Sequence, residues 1–374
     1  MRGVALLGST GSIGGSTLEV LRRHRDRFRL VALTAGSNRE LLEAQVAEWR
    51  PDYAGLVMGR GGNRFPEGRE CLLAAATHPD ASIVVNAVVG FAGLEATLAA
   101  LGAGKRVALA NKESLVAAGD LVAATRRSGG GELVPIDSEH SAVLQCLTGA
   151  AAPPTRLILT ASGGPFRDWD ATRVSNATAA EALNHPTWQM GAKISVDSAT
   201  LVNKALEVIE GHHLFGLPYD AIDVVVHPQS VVHAFVEFAD GSVLAQLGFP
   251  TMELPILYSL THPERLPDSS VRRFDPVSAG PLTFEPLRGD VFRAFRVGVA
   301  AGRAGGTAPC AFNAANEEAV AAFLDGRIAF GRIAELIDGA LQAHETRSVT
   351  TLATVTAADG EARQRVRELI ARPR

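Results

Sequence analysis

The chain has 374 residues, too many for one ordinary hydrophobic core, and 47% of them are apolar, enough to bury two or three domains. A formal net charge of −4, with arginines scattered among acids, excludes the concentrated basic face of a nucleic-acid binder. Three widely separated cysteines, Cys71, Cys146 and Cys310, with no C-x-x-C spacing, argue against a disulfide framework or a zinc site and fit a reducing cytoplasm.

The apolar run 4–7 begins almost at once, which leaves no room for a signal or transit peptide, and no stretch reaches membrane-spanning length. A soluble cytoplasmic protein is expected. Residues 4–7 predict a buried strand, Gly8 to Gly14 a tight turn, and residues 16–23 a helix. The spacing G-x-x-G-x-x-G between strand and helix is a variant of the dinucleotide fingerprint. Glycines let backbone approach a pyrophosphate, and the free N–H groups of the helix start favour its charge.

A second strand, 30–34, ends in Ala35-Gly36-Ser37-Asn38-Arg39, where such a domain reads the adenosine ribose. No acid stands there to pair with a free 2′-hydroxyl, and Ser37, Asn38 and Arg39 are donors for a 2′-phosphate, which favours NADP; an ordinary polar loop would carry the same residues. Further strands are predicted at 53–58, 83–87 and 106–109 with helices between them. Ala110-Asn111-Lys112-Glu113-Ser114 then falls at a strand's carboxyl end, where open α/β sheets bind ligands. Lys112 could polarise a carbonyl or hydroxyl there, or merely cap toward solvent.

Residues 133–136 lead into Asp137-Ser138-Glu139-His140 and a predicted helix over 141–147. On an extended segment Asp137 and Glu139 point the same way, so with the distant Glu207 they would form an all-oxygen site for Mg²⁺ or Mn²⁺; the alternative is a helix N-cap at Ser138 with acids in the first turn. A strand at 157–160 precedes a small-residue turn, ASGGPFR, and the segment 184–191 sets His185 and Trp188 in an irregular stretch suited to a lid.

Residues 193–207, KISVDSATLVNKALE, predict a strand end feeding a helix, with Ile194 and Val196 extended and Asp197 and Ser198 at the cap. Thr200, Asn203, Lys204 and Glu207 would then share one helix face, a mixture of donors, ammonium and carboxylate suited to a phosphate beside a metal ion. A solvated face with a Lys–Glu pair is the plainer alternative. Residues 231–238 and 242–247 predict a hairpin around Ala239-Asp240-Gly241, a proline-rich connector follows, and helices dominate from residue 291 on. Asn313, Asn316 and Glu317 read as helix-capping and solvating residues.

Taken in order, GSTGSIG, ALANKESLV, DSEH, ASGGPFR, HPTWQMG, KISVDSATLVNKALE and HPQSVVHAFVEF together resemble the 1-deoxy-D-xylulose 5-phosphate reductoisomerase family of the methylerythritol phosphate route to isoprenoids. The resemblance spans nearly the whole chain. It implies an α/β protein with a Rossmann-like NADPH-binding domain (1–137), a central α+β catalytic and dimerisation domain with a lid (138–262), a linker (263–288) and a C-terminal helical bundle (289–374). It further implies NADPH-dependent rearrangement and reduction of a sugar phosphate in a homodimer, with Mg²⁺, Mn²⁺ or Co²⁺ as the ion.

By the same resemblance, Asp137, Glu139 and Glu207 hold the metal and, with Lys112, form the catalytic set. Substrate contacts fall to Lys112, Ser138, Glu139, His185, Trp188 and Glu207, and the phosphate to Ser162, Ser198, Asn203 and Lys204. Cofactor contacts fall to Thr10, Gly11, Ser12, Ile13, Gly36, Ser37, Asn38, Asn111, Glu113, Gly191 and Met252. Some family members carry a lysine where this chain has Ser37. A plain dehydrogenase acting on another phosphorylated sugar, and a silent nucleotide sensor, remain the rival readings.

Overall fold

Apolar runs bracketed by glycine and polar turns become strands here because helices cover both faces, which makes burial nearly continuous along each run. In the computed structural model, which describes residues 1–59 and 64–372, β1 (Arg2–Leu7), α1 (Ser12–Arg23), β2 (Phe28–Ala35), α2 (Arg39–Trp49), β3 (Tyr53–Leu56), α3 (Glu70–Ala76), β4 (Ile83–Asn86), α4 (Leu94–Gly102), β5 (Arg106–Leu109), α5 (Glu113–Gly129) and β6 (Glu132–Pro135) follow one another. All six strands are parallel, in the order β3-β2-β1-β4-β5-β6. This is the doubly wound order, and its direction reverses between β1 and β4.

The chain continues through α6 (Ser138–Leu147), β7 (Arg156–Ala161), α7 (Ala171–Ser175), α8 (Ala179–Leu183), α9 (Ala192–Ala199) and α10 (Val202–Phe215). Then come β8 (Ile222–Val226), β9 (Val232–Glu237), β10 (Val243–Leu247), α11 (Glu253–Thr261), α12 (Pro276–Ala279), β11 (Glu285–Pro286), α13 (Arg293–Ala304), α14 (Ala308–Leu324), α15 (Arg332–Gln342) and α16 (Leu352–Ala371). Strands β7 to β11 form a mixed sheet ordered β10-β9-β7-β8-β11, in which β9 and β10 make the expected hairpin.

Two compact units result. The first takes the described residues of Met1–Ser114 with Val122–Ser141 and Thr251–Val271; the second takes Leu115–Leu121, Ala142–Pro250 and the described residues from Arg272 on. The first unit's core sets Val4, Leu6, Leu33 and Val85 of the sheet against Leu18 and Leu21 of α1 and Ile256, Leu257 and Leu260 of α11. In the second, Val196, Leu206 and Ile209 of α9 and α10 pack with Phe312 and Phe323 of α14.

Four local expectations are corrected. Residues 193–199 are helical rather than a strand end, because a Lys193–Asp197 ion pair at 2.8 Å spans one turn and the β-branched Val196 is buried against other helices, overriding its strand preference. Thr200 ends α9 and does not share the face of Asn203, Lys204 and Glu207: Leu201, with φ of 59°, breaks the path before α10. Glu139 lies within α6, not on an extended segment, since the helix opens at Ser138, where an acid in the first turn complements the N-terminal dipole.

Fourth, Asn313 and Asn316 neither cap nor solvate. Both are fully buried within α14. The proline-rich connector also does more than link, because β11 pairs antiparallel with β8 at Glu285–Val226 and Pro286–Val225. Proline is tolerated there because β11 is an edge strand.

Candidate active site

The nucleotide loop is built by two close approaches. Gly8, at φ of 82°, takes a conformation side chains avoid, and a Cβ there would lie 2.6 Å from the Ala87 carbonyl. At Gly14 a Cβ would lie 2.4 Å from the Gly8 carbonyl, so α1 sits tightly on the turn. Gly11 caps α1 with no side-chain hydrogen bond, and Gly11 and Ser12 are exposed while Thr10 and Ile13 are half-buried. An exposed helix N-terminus at the switch point of a doubly wound sheet is suited to a pyrophosphate.

Gln45 of α2 locks this loop: its amide donates to the Ser9 carbonyl at 3.0 Å and accepts from Ser9 Oγ at 2.6 Å. The sequence offers no sign of that role, since Gln45 looks like any polar residue of an amphipathic helix. At the end of β2, Gly36 is half-buried and Ser37 exposed, Asn38 caps α2 by accepting from the Leu41 N–H at 3.1 Å, and Arg39 pairs with Glu67 at 2.9 Å. Met252, just before α11, packs half-buried against the core of this same unit.

The loops after β5 and β6, neighbouring strands, bring Lys112 and Asp137 together at 2.5 Å. Both side chains are nearly buried, at 7% and 11% exposure. Burial pushes the Asp137 carboxyl up, but the Lys112 ammonium and His140 on the adjoining turn outweigh it and hold the group well below the usual carboxylate range. Ser138 donates to Glu139 at 2.5 Å. Asn111 donates to the Val88 and Gly90 carbonyls, both at 2.7 Å, and to Glu113 at 3.2 Å, which fastens the turn after β4.

In the second unit, one turn of α10 carries a buried polar cluster. Lys204 pairs with Glu207 and donates to the Thr160 carbonyl at the end of β7 at 2.5 Å, while Asn203 donates to the other Glu207 oxygen at 2.5 Å. Lys204 is 3% and Glu207 1% exposed, so this is no solvated face. The turn after β7 bends through Gly163 at φ of 84° and Gly164 at 69°, and a Cβ on Gly164 would lie 2.7 Å from the Ser198 carbonyl. Ser162, Gly164 and Ser198 are thereby held side by side.

Ser162 Oγ lies 3.1 Å from His185 Nε2. The other ring nitrogen, Nδ1, accepts from the Thr187 and Trp188 amides at 3.1 and 2.9 Å, which puts the proton of the neutral ring on Nε2 and makes it the donor to Ser162. Burial lowers this histidine to about 4. Trp188 is half-buried, and Gly191 is exposed as the N-cap of α9.

A doubly wound sheet, with a glycine loop after β1 and polar loops at the carboxyl ends of β2, β5 and β6, defines the class: a dinucleotide-dependent oxidoreductase. Residues 4–119 match the model of 1-deoxy-D-xylulose 5-phosphate reductoisomerase, 133–215 that of its C-terminal domain, and 247–365 that of the DXP reductoisomerase C-terminal domain. The chain belongs to the 1-deoxy-D-xylulose 5-phosphate reductoisomerase family.

Proteins of that name from Geobacillus kaustophilus and Gloeobacter violaceus are each 48% identical to it, covering 99% and 100% of this chain and 100% and 98% of their own. A crystal structure of DOX-P reductoisomerase in complex with NADPH, fosmidomycin and magnesium has a TM-score of 0.93 at 40% identity, covering 99% of this chain and 98% of that one. The Zymomonas mobilis enzyme in complex with NADPH has a TM-score of 0.90 at 39% identity, with both chains fully covered.

Proposed function

We infer that this chain converts 1-deoxy-D-xylulose 5-phosphate to 2-C-methyl-D-erythritol 4-phosphate with NADPH and a divalent cation, in non-mevalonate isoprenoid precursor biosynthesis. The observation that carries the reading is the turn of α10 that buries Lys204 and Glu207 beside the half-buried Asn203, in a chain of this family. A catalytically silent sensor has no use for such a group, in which an ammonium and a carboxylate are held together in fixed positions beside an amide.

The residues suit both bound groups. Gly8 and Gly14 bring bare backbone to the place of a pyrophosphate. Asp137, kept ionised beside Lys112, would with Glu139 and Glu207 supply an oxygen-only donor set, a chemistry that favours Mg²⁺ or Mn²⁺, with Co²⁺ as a third candidate. When bound, the cation supplies Lewis acidity toward the sugar's oxygens and NADPH supplies the hydride.

The chain's own residues divide the remaining work. Ser162, Ser198, Asn203 and Lys204 bind the phosphate, while Lys112 and Ser138 hold substrate hydroxyls. Neutral His185 offers its Nε2 proton as a hydrogen bond, and Trp188 covers the sugar and excludes water. Thr10, Gly11, Ser12 and Ile13 receive the pyrophosphate; Gly36, Ser37 and Asn38 face the ribose end. Asn111, Glu113, Gly191 and Met252 complete the cofactor's surroundings. The division into nucleotide (1–137), catalytic (138–262), connecting (263–288) and helical (289–374) segments belongs to the same reading.

NADPH oxidation on adding the sugar phosphate with Mg²⁺, abolished by a chelator and restored by the ion, is the expected result. Activity indifferent to chelation would remove the metal, and product NMR showing an unrearranged carbon skeleton would leave a plain dehydrogenase. A homodimer is supported by the exposed apolar residues Val243 and Leu244 on edge strand β10. Light scattering giving a monomer mass would exclude it. Cytoplasmic location is supported by three free cysteines and by the finding that, among the described residues, no helix is long and apolar enough to cross a membrane.

A further inference from the structure

Helix α9 carries Ser198 at its C-terminal end, and the residue before it, Asp197, points into the protein with only 1% of its side chain exposed. Two groups satisfy that carboxylate, one charged and one neutral. Lys193, one turn earlier, pairs with Oδ2 at 2.8 Å, and Asn316, 119 residues further along the chain on α14, donates to Oδ1 at 2.8 Å. Since a carboxylate only accepts, the Asn316 atom facing it is the amide nitrogen. The remaining Asn316 oxygen is buried and accepts no hydrogen bond from the protein. The bond from its N–H₂ group to Asp197 is thus the one that sets the orientation of this buried amide.

We propose that Asn316 is a positioning residue for the phosphate pocket, acting through Asp197 to set the rotation of α9 and hence the placing of Ser198. The geometry leaves α9 little other freedom. The Ser198 carbonyl lies where a Cβ on Gly164 would be 2.7 Å away, so a rotation of α9 carries the Ser162–Gly163–Gly164 turn with it. Thr200 Oγ1 ties the helix end by donating to the Val196 and Asp197 carbonyls at 3.0 and 3.2 Å, and the Asp197 side chain makes a strong polar link from α9 to α14. The C-terminal helices thus shape the anion site without touching the ligand.

This rests on the phosphate role given to Ser198, and the test separates the two. In Asn316→Leu, near-isosteric but without the donor, the KM for the sugar phosphate and the inhibition constant of inorganic phosphate rise together by about tenfold or more, the scale of one lost hydrogen bond to a charge, while the KM for NADPH stays unchanged. Asn316→Asp sets two carboxylates against each other and is worse. Adding Asp197→Asn to it restores an amide–carboxylate pair of reversed polarity and recovers phosphate binding.

An unchanged phosphate constant in Asn316→Leu, an equal rise in the KM for NADPH, or no recovery in the exchanged pair overturns the proposal. Should Asn316→Leu fold poorly, the single and exchanged Asp variants test the same link through loss and recovery of phosphate binding. If the wild-type chain does not turn over the sugar phosphate, the functional reading falls, yet stabilisation by inorganic phosphate in thermal unfolding, expected for wild type and lost in Asn316→Leu, still reads the link.

Discussion

Gln45 grips Ser9 at two points, donating to its carbonyl and accepting from its hydroxyl, so one side chain of α2 fixes both faces of a residue in the nucleotide loop. Both residues are buried. Gln45→Leu fills similar space but leaves the Ser9 carbonyl and hydroxyl without that partner, at about 1–3 kcal/mol for each orphaned group. The expected outcome is a lowered Tm and a raised KM for NADPH, with the KM for the sugar phosphate little changed. A variant whose NADPH affinity matched wild type would show that the loop holds its form by its glycines alone.

Lys112 and Asp137 form a buried pair, and the sign of its pH dependence follows from burial and charge. In the wild type Asp137 stays ionised well below its ordinary range, so its contribution to stability is present at neutral pH and is lost as pH falls through the depressed value. Lys112→Met removes the ammonium and leaves His140 alone to oppose burial, so the carboxyl rises from its depressed position. At neutral pH this costs about 3–5 kcal/mol, the usual penalty for orphaning a buried charge. Toward acid the variant's Asp137 takes up a proton and the gap narrows. Urea denaturation across the acid range checks this; a gap that widened on acidification would contradict the assignment.

His185 gives a second pH window. Its folded value of about 4 lies below the ordinary 6.5, so the stability it contributes is fully present above about 6.5 and drains away as pH falls toward 4. Protonation would place a hydrogen on Nδ1, the atom that accepts from Thr187 and Trp188, and both contacts would break. The protection of the amides at those two positions, relative to the intrinsic exchange rate at each pH, is therefore expected to fall through this interval while the strands of the mixed sheet stay protected. A uniform fall throughout the unit would mean global unfolding rather than release of this loop.

What could be read from the sequence was what is local. The strand, Gly8-to-Gly14 turn and helix follow from neighbours in the chain, as does the β9–β10 hairpin around Asp240 and Gly241. What escaped was set by partners far away in sequence: Gln45 reaches Ser9 across 36 residues and Asn316 reaches Asp197 across 119. Residues 193–199 misled for the same reason. Ile194 and Val196 favour strands in isolation, and only the packing of Val196 against distant helices and the Lys193–Asp197 pair make the segment helical. The roles proposed for Asp137, Glu139 and Glu207 rest on the resemblance of whole blocks more than on spacing, because acids near helix starts are ordinary by themselves.

Glu207 is the strictest case. Its two oxygens are claimed by Asn203 and Lys204, so Glu207→Gln changes one charge while keeping size and most hydrogen-bonding capacity. If the carboxylate serves a cation, turnover with Mg²⁺ falls by about 10²–10³-fold, the scale of losing one preorganised charge-stabilising group. NADPH binding in the first unit should be intact, measured by quenching or calorimetry. The Lys204 ammonium, left with the Thr160 carbonyl and a neutral amide in a dry setting, also gains a stronger claim on an anion, so inorganic phosphate should bind the variant at least as well as wild type. Simultaneous loss of turnover, NADPH binding and phosphate binding would instead signal a misfolded chain, and unimpaired metal-dependent turnover would remove Glu207 from the reaction.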